Sequence, residues 1–405
     1  MENLHIHLPG FTYYDLHNPD KLAELTSLFY DEVKKKNPAL HEQFIAYKAS
    51  KGNGFSEIQI SNLLVEMAPY LSEFIAAIFG IESEWKALQI VADKEHILFH
   101  CKKEFFTRRV LKKFQQSDAA QFNLEELCEQ VNAVKKIFGG LPENDEELAL
   151  AAILYELLPH EKFLKEGLPE NSLVYIRAVK KKLPQEKTLA YLHSLSDSNE
   201  GNTKFLEELV ALFEHYLAAS YFQKESATKN WVMFRQPNKL DFGHLVEFDE
   251  LHTPVTEFFG HEEHYRHRDG FDLTDERYSR REVKSEVDYC IFCHDRSKDS
   301  CSKGLKEKNE FKKNPIGYEL KGCPLDQKIS ESHALQNTGD SIGALALIAI
   351  DNPMCPGTGH RICNDCMKAC IYQKQEPVNI PQIETRVLTD VLNLPWGFEI
   401  YSLLT

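Results

Sequence analysis

The sequence of 405 residues predicts a mainly α-helical chain: an N-terminal helical domain over 1–240, a linker or wrapping segment over 241–288, and a small helical, cysteine-rich domain over 289–405. Apolar residues recur at helical spacing through the first half, strand signals are few, and eight of the ten cysteines fall between Cys290 and Cys370.

Helices are expected over Lys21–Lys36, Glu57–Phe79, Glu95–Phe114, Leu124–Phe138, Asp145–Leu158 and Thr203–Gln223, each with a recurrent apolar face. Asp20 and Ser56 stand where a side-chain oxygen caps the first turn. Asn37-Pro38, Gly52 to Gly54, and the Leu-Pro steps beginning at Leu141, Leu168 and Leu183 punctuate these runs. With no internal repeat, the region reads as a bundle or array that scaffolds or docks. From Phe242 to Asp288, charged residues mix with Gly260 and Gly270 and apolar periods are few, which predicts the linker or wrap. Ser341 to Ile350 is the most apolar stretch and reads as a buried helix, too short for the roughly 18–20 residues a membrane span needs. No membrane span is therefore expected.

A net charge of −15 argues against general nucleic-acid binding, where a basic face supplies much of the affinity. The chain begins without an apolar signal segment, so a cytoplasmic setting with reduced thiols is expected, and disulfides are not.

The cysteines fall into a near group, Cys290, Cys293 and Cys301, then Cys323 in a Gly322-Cys323-Pro324 step, then Cys355, and then Cys363, Cys366 and Cys370. A four-iron cluster commonly takes closely spaced thiolates and one distant thiolate, and two interleavable sets of four meet that need. If 361–372 is one helix, the i, i+3, i+7 spacing of the last three puts their sulfurs on one stripe. Zinc is the serious rival, since a CxxC pair with more distant cysteines also suits a tetrahedral ion.

The stretch from Cys290 to Glu384 resembles the N-terminal cluster-bearing domain of the glutamate synthase small subunit and dihydropyrimidine dehydrogenase, within a group of NAD(P)-dependent, FAD-containing oxidoreductases. The residues that carry the resemblance are Cys290-Ile-Phe-Cys293, Gly322-Cys323-Pro324-Leu325, Asn352-Pro353, Thr358-Gly359-His360-Arg361-Ile362-Cys363, Glu376-Pro377-Val378-Asn379-Ile380 and Ile383-Glu384. The resemblance implies a small helical two-cluster ferredoxin-like domain. It implies Cys290, Cys293, Cys301 and Cys370 as ligands of one 4Fe-4S cluster, and Cys323, Cys363 and Cys366 as ligands of another. The fourth ligand of the second cluster is then Cys355, favoured as the softer donor, or Glu384.

Two departures accompany this. The insert from Ser297 to Leu320 is longer than the family's compact run and rich in lysine; Lys298, Lys303, Lys312 and Lys313 either form a solvated loop or offset thiolate charge and dock a partner. A GxGxxG dinucleotide fingerprint is missing, since Gly339 with Gly343 and Gly357 with Gly359 lack its spacing. FAD and NAD(P)H are accordingly expected on a partner domain or subunit or on downstream sequence, with a second redox subunit as a further partner, and this chain supplies no residue to bind them.

The remaining features read as structural. Cys101 and Cys128 lie in helical patterns and are expected to be buried small hydrophobes. His5-Ile6-His7 suits an exposed extended segment. His252, His261, His264 and His267, with Glu262 and Glu263, lack the HExxH order and read as a charged connecting segment. No GxSxG elbow supports Ser/His/Asp catalysis, and no catalytic residue is expected. The function expected is an electron-transfer module of an NAD(P)H- and FAD-dependent oxidoreductase, passing single electrons through two 4Fe-4S clusters. The alternative is a zinc-stabilised scaffold or interaction protein without redox activity.

Overall fold

The computed structural model describes residues 4–246, 248–262, 265, 270–271, 276–296 and 298–405. These fall into two units, one drawn from Met1–Ala92 together with Pro237–Thr405, the other from Asp93–Gln236. That division differs from the expected 1–240, 241–288 and 289–405. The second break falls near 240, but the first helices share a core with the C-terminal segment instead of with the helices that follow them. Periodicity shows which face of a helix is apolar and not which distant face covers it.

In the first unit, Pro19–Lys36 and Pro38–Ser50 each open on proline, whose missing N–H costs nothing at a helix start. Asn18 caps the former by accepting from the N–H of Asp20 at 2.9 Å, so the cap lies one step before the proline and not at Asp20. Asn37 caps the second helix, accepting from Leu40 N–H at 3.1 Å. Ser56 caps Glu57–Phe79 within a capping box closed by Gln59. Glu57–Phe79 is long and apolar enough to cross a membrane by length and composition, contrary to the sequence expectation. Its residues Leu63, Leu64, Met67, Ile75 and Phe79 are nevertheless buried in the shared core.

The C-terminal part of this unit is a run of short helices. Arg280–Tyr289, Ile329–Asn337, Ser341–Asp351, Ile380–Leu392 and Gly397–Leu404 pack Val287, Leu335, Leu345, Val387 and Ile400 into the same core as Phe29 and Phe74. Two buried polar contacts tie the sequence halves together. Ser61 donates to Glu331 at 2.6 Å, and Trp85 Nε1 donates to Asp340 at 3.1 Å. Gly339, at φ +78°, lies against Leu88 and Gln89, so close that a Cβ would meet backbone at 2.7 Å. Strands among the described residues are short hairpins: Asp249–His252 with Thr256–Phe259, and Lys306–Glu307 with Glu310–Phe311.

The second unit is helical throughout its described elements, with a core that includes Phe105, Phe106, Leu154, Phe205 and Phe213. Its main helices are Leu124–Lys135, Glu146–Glu161, Glu170–Lys181 and Asn199–Phe222, and a π-helical stretch covers Lys102–Val110. Glu214, fully buried, is neutralised by Arg109 and Lys113. The helix expected from Glu95 starts earlier, at Glu82, and Glu170–Lys181 was not foreseen.

Leu345 is fully buried, and Leu345→Ala is expected to lower unfolding free energy by about 2–5 kcal/mol, whereas Val174→Ala at an exposed position changes it by less than about 0.5 kcal/mol; denaturant titration measures both. Burial holds the Asp340 carboxyl above its ordinary range, against the donors Ser72, Gly343 and Trp85. The folded state therefore binds this proton more tightly than the unfolded chain, and its contribution to stability falls as pH rises above about 4. Asp340→Asn should flatten that part of the stability–pH curve; an unchanged slope refutes the assignment.

Candidate functional site: two cysteine sets

The eight clustered cysteines sit at the ends of short elements. Cys290 follows the last turn of Arg280–Tyr289, and its N–H donates back to Glu286 O at 3.0 Å. Cys301 lies in the turn Ser300–Lys303, and Cys355 opens Cys355–Ile362. The expected single helix over 361–372 is not formed. Cys363 is extended, at φ −136° and ψ 140°, and a new turn begins at Asp365–Lys368. The stripe of three sulfurs is thus broken, and the chain direction changes between Cys363 and Cys370.

That break sorts the cysteines. Cys290, Cys293, Cys301 and Cys370 lie close enough that charge on one raises the pKa of another, with Cys301 sensing the other three. Cys366 senses Cys323 and Cys363, and Cys323 senses Cys363. Glu384 bears on Cys323, Cys366 and Cys355. The charge of Glu384 bears on Cys355 as well, so carboxyl and thiol both stand beside the second set. Cys363 is exposed, Cys290 and Cys366 are half-buried, and the other five are buried. Cys301, Cys323, Cys355 and Cys370 are part of the hydrophobic core.

Burial is the main cause of every thiol shift at the site. It pushes Cys290 and Cys355 up to about 12 and Cys293 up to about 11. Thiolates within the first set disfavour one another, so they ionise together only against compensating positive charge. Glu384 is pushed up to about 7 by burial, although Gln327 Nε2 donates to it at 3.4 Å and Asn352 Nδ2 at 3.3 Å. Asp299, pushed up to about 6 by burial and by the charge of Glu331, accepts from Cys301 Sγ at 3.5 Å.

The two sets touch through backbone. Cys323 N–H donates to Cys301 O at 2.9 Å. Beside this bond Gly304 and Gly322 stand back to back at φ +82° and +81°, and a Cβ on Gly322 would meet Gly304 N at 2.5 Å and Ser302 O at 2.6 Å. Tyr289 and Tyr372 stack with centroids 4.3 Å apart, and Tyr372 Oη donates to Tyr289 O at 3.0 Å. The charges of Cys370, Cys290 and Cys293 bear on Tyr372, which places the stack beside the first set. Sequence reasoning missed Gly304, Asp299 and the tyrosine pair. Their signal was adjacency: Tyr289 immediately precedes Cys290, and Tyr372 lies two residues after Cys370.

Of the lysines in the insert, Lys298 lowers the pKa of Cys293, while Lys303 pairs with Glu57 at 2.5 Å, Lys312 with Glu307 at 3.6 Å and Lys313 with Glu319 at 3.7 Å. His252 and His261 lie beside Glu250 and Asp249, whereas Glu263, His264 and His267 are outside the described residues. Cys101 is buried and Cys128 half-buried, both in the second unit, as small apolar groups.

By fold the chain is mainly helical with an N-terminal α-helical domain, and residues 7–80 match a family model described as the RP005 N-terminal alpha-helical domain. It is similar to the uncharacterized protein RP005 of Rickettsia prowazekii (strain Madrid E), 23% identical over 323 residues that cover 78% of this chain and 93% of that protein. It is also similar to the uncharacterized protein RP006 of the same organism, 69% identical over 52 residues, which are 13% of this chain and 7% of that protein. No solved structure matches significantly.

These matches correct the resemblance to the glutamate synthase small subunit and dihydropyrimidine dehydrogenase, and with it the class names taken from it. None points to an oxidoreductase, iron–sulfur or electron-transfer family. Short motifs were weighed there without the remaining three quarters of the chain. Among the described residues no group of three or more His, Cys, Asp or Glu side chains stands close enough to hold a metal ion, so a metal-binding site in that single-ion sense is corrected too.

Gly317 has a positive φ and open space around its Cα, whereas Gly322 adds a backbone clash. Gly317→Ala is expected to cost about 1–2 kcal/mol and Gly322→Ala distinctly more, both read by thermal unfolding of the full chain.

Proposed function

We propose that each cysteine set holds a polynuclear iron–sulfur cluster and that the chain passes single electrons between them. The ground is the arrangement of this chain's own cysteines and no family. The observation that carries it is the sorting of Cys370 with Cys290, Cys293 and Cys301 while Cys363 and Cys366 join Cys323. Two sets of soft donors, mostly buried and mutually repelling, fit a cationic iron core.

The zinc alternative asks for a different geometry. A zinc ion draws four donors to one centre at about 2.0–2.3 Å, whereas the thiolates of a four-iron cluster bind separate irons and stand further apart. When bound, such clusters supply one-electron redox chemistry. The protein's part is to provide the thiolates, exclude water and place dipoles nearby. Burial in the core and the backbone bond between Cys323 and Cys301 serve those ends. In the second set, Glu384 or Cys355 completes the ligands.

A separate flavin-bearing domain or subunit reduced by NAD(P)H suits such a carrier as electron source, because flavins divide a hydride into single electrons. A second redox subunit would then be the acceptor. The reducing cytoplasm suits the free thiols.

Anaerobic purification with iron, sulfide and zinc analysis tests this. About eight irons and eight sulfides per chain, with visible absorbance that bleaches on reduction, is the expected result. Cys366→Ser should roughly halve the iron and Cys101→Ser should leave it unchanged. Equal iron in the two variants, or stoichiometric zinc in a colourless protein after anaerobic cluster reconstitution, sinks the proposal. Comparing Glu384→Ala with Cys355→Ser identifies the fourth donor of the second set by which loses iron.

A further inference from the structure

A cavity of about 400 Å³ opens in the first unit, away from the cysteines. Phe29, Leu64, Met67 and Phe74 come to it from the N-terminal helices, and Leu347 and Leu404 from the C-terminal ones. Its volume falls within the roughly 300–1,000 Å³ of small-molecule sites. Its wall is apolar almost throughout. Thr26 lines the rim, but its hydroxyl already donates to Leu22 O at 2.9 Å.

The exception is Tyr30. Its hydroxyl accepts from Lys48 Nζ at 2.5 Å, which leaves the phenolic proton free to donate outward. Lys48 is exposed, lies 4.7 Å over the Tyr30 ring, and among the described residues has no carboxylate partner. An ammonium and a phenol therefore stand together, with donors to spare, at the edge of a greasy slot. On a chain with a net charge of −15, a cation held against a residue that lines an apolar cavity is complementary to an anionic head group.

We propose that this cavity binds a long-chain carboxylate, with its hydrocarbon tail in the slot and its two oxygens shared by Lys48 Nζ and Tyr30 Oη. Burial of the tail supplies most of the affinity, and the charge-assisted hydrogen bonds fix which end lies at the rim. A single cation matches a monoanion. The site does not depend on the cysteine sets.

The test is calorimetric titration of the full chain with palmitate, and with hexadecanol as the uncharged counterpart. One palmitate per chain is expected, bound saturably. Lys48→Ala should weaken palmitate roughly tenfold while leaving hexadecanol unchanged, since one charge-assisted bond is lost. Thr26→Trp, a change at the exposed rim, should block both ligands, with thermal melting to verify that each variant folds. Three results overturn the proposal: no saturable palmitate binding, palmitate affinity indifferent to Lys48→Ala, or binding that survives Thr26→Trp. Self-association abolished by Thr26→Trp, in a chain that ignores palmitate, would instead assign the slot to a second copy.

Discussion

The backbone hydrogen bond from Cys323 to Cys301 is the constraint on which the cysteine region depends. It holds one member of each set against the other, and it requires two segments of the chain to approach more closely than side chains permit. Gly304 and Gly322 make that approach possible, each with a positive φ and neither with a Cβ in the way. Around this fixed point Cys290, Cys355 and Cys363 lie at the ends of helices, where backbone direction changes. The sets are interleaved because the chain turns at Cys363, and no single rigid element has to present all eight sulfurs.

The first unit supports this arrangement with a core drawn from both of its sequence segments. Ile329–Asn337 and Ser341–Asp351 are held to the N-terminal helices by Ser61–Glu331 and Trp85–Asp340, contacts between buried polar groups that would be costly if left unmade. Glu384 shows the opposite economy. It is half-buried with neutral donors nearby, the Gln327 and Asn352 amides and the Thr358 side chain, in a place where a charged partner would complete it. The carboxyl and the thiols around it share one electrostatic problem, an excess of groups that become negative together in a medium that screens them poorly.

What was legible in the sequence was local. Apolar periodicity located Glu57–Phe79 almost to the residue, and Ser56 announced its cap. The density of cysteines marked the segment in which the structure brings them into two sets. The placement of Asn18 instead of Asp20 as a cap depended on the proline between them, since Pro19 has no N–H and so suits the first position of the helix. The i, i+3, i+7 spacing of Cys363, Cys366 and Cys370 suggested one helix, but Cys363 adopts an extended backbone that no periodicity reports. The pairing of the first helices with the last ones was illegible for a different reason: it depends on complementary surfaces far apart in sequence. The likeness to a flavin-linked family failed similarly, because a handful of short motifs was read without the long helical remainder, which matches other proteins.

The discontinuity of the first unit has a consequence for biosynthesis. Met1–Ala92 leaves the ribosome well before Pro237–Thr405 exists, and the whole of Asp93–Gln236 is translated in between. At about 5–20 residues per second, the N-terminal helices wait several seconds or more with Phe29, Met67, Phe74 and Ile75 uncovered, while the intervening unit can already fold on its own local contacts. Nascent chains of this protein thus pass through a stage in which a finished middle is preceded by a sticky, unfinished beginning. That is the interval in which a ribosome-bound holdase would be most needed.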